Sequence, residues 1–174
     1  MKKVLFSTNL PSPYRVDFFN EFGKYCELTV LYERMNSAER NASWRGKDAI
    51  NFKEIYLDLN LSGVDLASGP ALRDFIRDTP SDILIFTNYS SPATQKAITW
   101  CRLHGREYMM EYDGGFNKKD LIIKRLYKKW LLQGAKMHLT TADEHIAYLR
   151  NLGISKDRIN KYPFTSISNA DICS

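Results

Sequence analysis

"VLFSTNLPSPYRVDFFNEFGK", residues 4–24, sets the apolar run Val4-Leu5-Phe6 ahead of a two-proline loop and a stretch of helical period. The run predicts a buried strand over Val4–Thr8. Val16, Phe19 and Phe22, recurring on one face, predict a helix over Pro13–Lys24. A strand that feeds directly into a helix is the opening unit of a parallel sheet, because the helix returns the chain to the starting edge. The alternation continues. Strands are predicted at Glu27–Tyr32, Phe52–Leu57, Ile83–Phe86, Glu107–Glu111, Met137–Thr141 and Ile159–Tyr162. Helices are predicted at Ala71–Asp78, Pro92–Leu103, Lys118–Gly134 and Asp143–Leu152, the last ended by Gly153. The expected fold class is α/β: three layers, α/β/α, around a mainly parallel sheet covered on both faces.

The 174 residues suit about one domain of this kind. A polar loop, Arg34–Gly46, interrupts the alternation early, and no internal repeat is visible. No stretch approaches the roughly 18 apolar residues that span a bilayer, and the N-terminal apolar run is too short for a signal peptide. Cys26, Cys101 and Cys173 are odd in number and far apart, which predicts reduced thiols and a cytoplasmic protein. His104, His138 and His145 show no HxxH or HExxH spacing, so no metal site is expected.

In a parallel sheet, ligands collect beyond the carboxyl ends of the strands. The candidate loops are therefore 9–14, 88–91, 112–117 and 141–145. In the first, Ser12 is placed to cap a helix whose first position, Pro13, lacks an N–H that would be orphaned anyway. Pro11 keeps Leu10 extended, and Tyr14 follows at the helix start. Such a helix start favours an anion or a sugar hydroxyl, and it equally serves a helix that is only structural. The prolines disfavour the close backbone approach of GxGxxG, and with it conventional NAD binding. The second loop offers Asn88, Tyr89 and Ser90, with Ser91 as a helix cap before Pro92. The third, "EYDGGF" (Glu111–Phe116), puts Asp113 at a strand end and lets Gly114-Gly115 turn sharply or lie against a ligand. A plain strand-to-helix turn reads equally well there. Thr141 and Glu144 supply polar groups in the fourth.

"NKKDLIIKRLYKKWLLQGA", residues 117–135, carries the charge. Six cations against Asp120 within residues 118–129 account for the whole net charge of +5. At about 100° per residue, Ile122, Ile123, Leu126 and Trp130 share one face, expected to meet the core. Lys118, Lys124, Arg125, Lys128 and Lys129 lie opposite, with Leu121 and Leu132 among them facing outward. Cations with interspersed leucines suit an anionic membrane surface, and a plain solvated face reads as well. No nucleic-acid recognition motif accompanies them, so no nucleic-acid partner is expected. Neither GxSxG nor a P-loop occurs.

Together the pieces resemble the N-terminal, acceptor-side domain of GT-B glycosyltransferases of the retaining family-four type. The likeness is carried by Lys2–Glu33, "SWRG" (Ser43–Gly46), "EYDGGF", Gly134–Ile154 and "YPFTSISN" (Tyr162–Asn169). It implies a Rossmann-like domain over residues 1–162, half of a GT-B fold. Residues 163–174 would begin the linker to a C-terminal donor-binding domain absent from this chain. It implies metal-independent sugar transfer with retention, without a cofactor, from a nucleotide sugar to a glycan or lipid-linked acceptor. Asp113 would take the catalytic position against the donor sugar. Pro11, Ser12, Pro13, Tyr14, Asn88, Tyr89, Ser90, Gly114, Gly115, Thr141 and Glu144 would line the cleft. Lys124, Arg125, Lys128 and Lys129 would meet an anionic membrane surface, at the inner face of the cytoplasmic membrane. Such enzymes carry a Glu-x7-Glu motif, and no two glutamates here stand eight apart; the chain alone is expected to bind acceptor and not to turn over. Two rivals share the architecture: half of a nucleotide-sugar epimerase of GT-B type, and a non-catalytic Rossmann-like binding module. The epimerase would need cleft acid/base groups, for which only Asp113, Glu144 and His145 qualify.

Overall fold

The computed structural model describes residues 1–33, 47–57, 68–87, 89–112 and 121–164, with backbone alone at 68–70. Seven strands form its sheet: β1 (Lys3–Thr8), β2 (Glu27–Tyr32), β3 (Lys53–Tyr56), β4 (Ile83–Phe86), β5 (Met109–Tyr112), β6 (Met137–Thr140) and β7 (Ile159–Lys161). Five helices connect or flank them: α1 (Pro13–Phe22), α2 (Ser68–Asp78), α3 (Pro92–Leu103), α4 (Ile122–Gln133) and α5 (Asp143–Asn151). The strand order is β3-β2-β1-β4-β5-β6-β7, and every pairing is parallel. This is a Rossmann-like three-layer α/β fold. The polar loop 34–46, Ser43–Gly46 included, and residues 118–120 of the expected basic helix lie outside the described residues. Of the expected linker, only Pro163 and Phe164 lie within them.

Chain direction sorts the helices. From β1 to β2 the chain steps one way across the sheet; from β3 onward it steps the other way. Right-handed crossovers therefore place α1 on one face and α2–α5 on the opposite one. Alternate strand residues separate accordingly. Val4, Phe6, Val30, Tyr32 and Ile85 meet Val16 and Phe19 of α1. Leu5, Leu31, Leu84, Phe86, Met110 and Tyr112 meet Leu72, Ile76, Ala97, Ile98, Leu131 and Leu149. Leu31 is as buried as its neighbours Val30 and Tyr32, because β2 has both faces covered.

Gly23 shows how closely α1 is held. A Cβ there would stand 2.0 Å from the Asn51 carbonyl oxygen. The Asn51 segment cannot readily retreat, since Asn20 Oδ1 accepts from the backbone N–H of Ile50 (2.8 Å) and Asn51 (3.1 Å). Gly23→Ala is expected to lower stability by about 2 kcal/mol. The measurement is a urea midpoint shift at unchanged slope; no shift would mean that segment 47–57 yields freely.

The orientation of α4 corrects the sequence expectation. Ile122, Ile123 and Leu126, expected to meet the core, are 78%, 83% and 61% exposed. Leu132, expected to face outward, is fully buried beside Leu131, whereas Leu121 does face solvent, 82% exposed. The cause is where the helix is anchored. Its last turn is held by the Tyr108 hydroxyl on the Leu131 carbonyl, by Arg102 on the Trp130 carbonyl and by Arg158 on the Gln133 carbonyl (2.8 Å). Turning Leu131 and Leu132 inward turns Lys128 toward the molecule at helical period and sends the isoleucines out. Lys128 is partly buried, its ammonium 5.9 Å from the centre of the Tyr89 ring.

Candidate functional site: the strand-end rim

Because the sheet is wholly parallel, the segments after β1, β4, β5 and β6 all leave it on one rim. The strand order reverses direction between β1 and β4, so α1 and α3 depart to opposite faces there, the point at which sheets of this kind open a ligand crevice. Two threonines floor it. Thr87 donates its backbone N–H to the Ser7 carbonyl (3.0 Å), and its Oγ1 lies 3.1 Å from Thr8 Oγ1. The walls share a six-residue pattern, Thr-Asn-x-x-Ser-Pro, at Thr8–Pro13 and Thr87–Pro92. That repeat was present in the sequence and identifies Thr8 and Thr87, which the loop-by-loop reading passed over.

The two helix starts differ. Ser12 is the N-cap of α1 with Pro13 next, but its side chain makes no capping bond; only its carbonyl accepts, from the N–H groups of Arg15 (2.9 Å) and Val16 (3.0 Å). Pro11 and Tyr14 beside it are partly buried. At α3, Ser91 Oγ accepts from Thr94 N–H (3.1 Å) and donates to Glu33 Oε1 (2.9 Å), and Thr94 Oγ1 donates to the same oxygen (2.6 Å). Glu33 is buried just past β2 and supplies a negative charge where the α3 dipole is positive. The first turn of α3 is thus neutralised from within.

Toward β5 the rim rests on a buried ion pair. Arg15 Nη2 reaches Oε1 and Oε2 of Glu111, both at 3.0 Å, with side chains 4% and 2% exposed. The Tyr162 hydroxyl also donates to Glu111, and the Phe164 ring lies 4.9 Å from the Arg15 guanidinium and edge-on to Tyr14 at 5.8 Å. Both buried rim carboxylates, Glu33 and Glu111, are therefore committed to internal partners.

On the α3–α5 side stand aromatics and imidazoles. Tyr89 meets the Tyr148 hydroxyl at 3.3 Å and tilts against Tyr112. Tyr112 and His138 Nδ1 share a 2.8 Å hydrogen bond, and His145 Nδ1 lies 3.0 Å from Thr140 Oγ1. Burial, helped by the nearby Arg158, lowers the His138 pKa to about 4, so it is neutral near pH 7. Burial pushes the Tyr112 phenol far up. Ser90 accepts a long bond from Gln95 through its carbonyl (3.4 Å). Thr141 is half-buried and Glu144 is exposed in the first turn of α5.

The structure brings Pro11, Ser12, Pro13, Tyr14, Tyr89, Ser90, Thr141 and Glu144 to segments of one rim. Asn88, Asp113, Gly114 and Gly115 lie outside the described residues. Lys124, Arg125, Lys128 and Lys129 belong to α4, and of these Lys128 reaches the rim, its ammonium 5.9 Å from the centre of the Tyr89 ring. Among the described residues no three His, Cys, Asp or Glu side chains gather as a metal site, and no helix is long and apolar enough to cross a membrane. What the floor offers is hydroxyls, the chemistry of a polyol site. A scan of protein-family models gave no match to this chain, and a search of the curated proteins found no relative.

Proposed function

We propose that this chain is the acceptor-side half of a retaining glycosyltransferase of GT-B type, acting at the cytoplasmic face of a membrane. One observation supports it most: the paired threonine hydroxyls at the point where the strand order reverses, each heading a Thr-Asn-x-x-Ser-Pro segment of the sequence. Sugars are recognised by short neutral donors and acceptors held on a rigid scaffold, and this rim supplies them. A nucleotide sugar would be the donor and a glycan or lipid-linked sugar the acceptor, with no metal or other cofactor. In this reading Asp113 faces the donor sugar, between Gly114-Gly115 and the end of β5. Pro11 to Tyr14, Asn88 to Ser90, Thr141 and Glu144 edge the acceptor. The donor-binding half would come from a second domain.

The test is amide chemical-shift mapping of the isotope-labelled chain against neutral oligosaccharides and, separately, UDP-glucose and GDP-mannose. Oligosaccharides are expected to move residues 8–14, 87–91 and 140–145 at millimolar concentration, and nucleotide sugars to move them less. Thr8→Val with Thr87→Val should weaken that response about fivefold, as expected for a buried pair of lost hydrogen bonds. Silence with every sugar, or shifts confined to other surfaces, would end the reading.

A further inference from the structure

Among the described residues, α4 carries the largest group of exposed apolar side chains. Ile122, Ile123 and Leu126 form an apolar ridge on the side opposite Leu131 and Leu132, and Leu121 is exposed at the N-terminal end of the helix. Arg125 and Lys129, both exposed, flank it. Lys96 and Arg102 of the neighbouring α3 extend the positive field, and neither α3 nor α4 contains a carboxylate. Arg102 lies over the Trp130 ring at 4.4 Å, and Tyr127 stacks on the same ring at 6.2 Å. So the ridge is bounded by an aromatic pair and by cations. Contiguous exposed apolar surface of this kind marks a binding face.

The charges choose the occupant. A second copy meeting this helix about a two-fold axis would set Arg125 and Lys129 against their own images with no carboxylate on α3 or α4 to offset them. A nucleic acid would satisfy the cations and leave Ile122, Ile123 and Leu126 in water. An anionic bilayer satisfies both demands, since apolar side chains enter the acyl boundary while lysine and arginine hold lipid phosphates. We propose that α4 docks this chain on an anionic lipid bilayer. Leu121, Ile122, Ile123 and Leu126 insert, and Arg125 and Lys129 contact phosphate.

Placement adds a consequence. The last turn of α4 is pinned beside Tyr108, at the start of β5, so its first turn, with the ridge, lies toward the strand-end rim. Docking sets the rim next to the bilayer, where an acceptor carried on a lipid can reach the crevice. That substrate class rests on the transferase reading; the docking surface does not.

Co-sedimentation of the full 174-residue chain with phosphatidylcholine vesicles, with and without phosphatidylglycerol, tests the docking with no sugar present. The wild type is expected to partition onto phosphatidylglycerol-containing vesicles and to stay in solution with the neutral ones. The Ile122→Ser/Ile123→Ser/Leu126→Ser variant and the Arg125→Gln/Lys129→Gln variant should each lose about tenfold in partitioning. All five positions are solvent-facing, and thermal melts matched to wild type would exclude unfolding as the cause. Absence of binding, equal binding to neutral vesicles, or full binding by the triple-serine variant would overturn the proposal. So would a dimer in sedimentation that the triple-serine variant abolishes, because the ridge would then belong to a second copy. A chain that binds vesicles yet shows no sugar-dependent shifts would keep the docking surface and lose the transferase reading.

Discussion

Glu111→Gln is expected to lower the unfolding free energy by about 3 kcal/mol, the loss typical when one partner leaves a buried ion pair. The substitution preserves shape and removes charge. Arg15 would keep its guanidinium, 4% exposed, against an amide that repels it with one end. Taking a cation out of water is offset here by one carboxylate gripping it with both oxygens at 3.0 Å. Arg15→Met paired with Glu111→Leu removes both charges and should lie closer to wild type than either single change, because apolar pairs replace buried ion pairs at little cost. Guanidinium unfolding at pH 7, followed by circular dichroism, reads all five proteins: wild type, Glu111→Gln, the two single changes of the pair and their combination. A Glu111→Gln loss below about 1 kcal/mol, or a double variant as weak as the sum of the singles, would show that the pair is not coupled as its geometry requires. The consequence reaches the rim. This contact ties the first turn of α1, which carries the Pro11–Tyr14 loop, to the strand that leads into Asp113.

The sequence made the layers readable because their cause is local. Glu27–Tyr32, Ile83–Phe86 and Pro92–Leu103 have the same bounds in the structure as in the sequence reading. Each is an apolar run or a Pro-started helical period between polar breaks, and each ends on such a break. The direction of α4 was not readable. Periodicity reports that Ile122, Ile123 and Leu126 share a face; it does not report which way the face points. Leu131, Leu132 and Ala135 settle that by packing under Tyr108, which lies more than twenty positions away. The rim's internal bonds were equally hidden. Arg15 and Glu111 are 96 residues apart, and Glu33 meets Ser91 across 58. A charge in a helical or strand period reads as solvated until the topology brings its partner to it. The crevice floor stood in between: Thr8 and Thr87 sit at matched places in a repeated hexapeptide, and only the β1–β4 pairing shows that the two copies touch.

Acid should loosen the chain at β6, through His138. Its pKa in the folded chain is about 4, against 6.5 for the ordinary imidazole. Above pH 6.5 the group is neutral whether folded or unfolded, so it contributes no pH dependence. As pH falls from there toward 4, the unfolded chain takes up a proton that the folded chain refuses, and stability drops at up to about 1.4 kcal/mol per pH unit. Below 4 the folded chain protonates too and the loss levels off. By pH 4.5 the loss should be about 2.5 kcal/mol. His138→Phe isolates it. That change strands the Tyr112 hydroxyl, a cost that does not vary with pH in this range because the phenol titrates far above it. Carboxylates, His104 and His145 are common to both proteins and cancel in the difference. The stability advantage of wild type over His138→Phe should therefore shrink by about 2.5 kcal/mol between pH 7.5 and pH 4.5. A difference that stays constant would mean the imidazole titrates alike folded and unfolded, and hence that water reaches it. His138 stacks on Tyr112, one residue before Asp113, so its protonation strains the strand pair that carries the β5 and β6 segments of the rim.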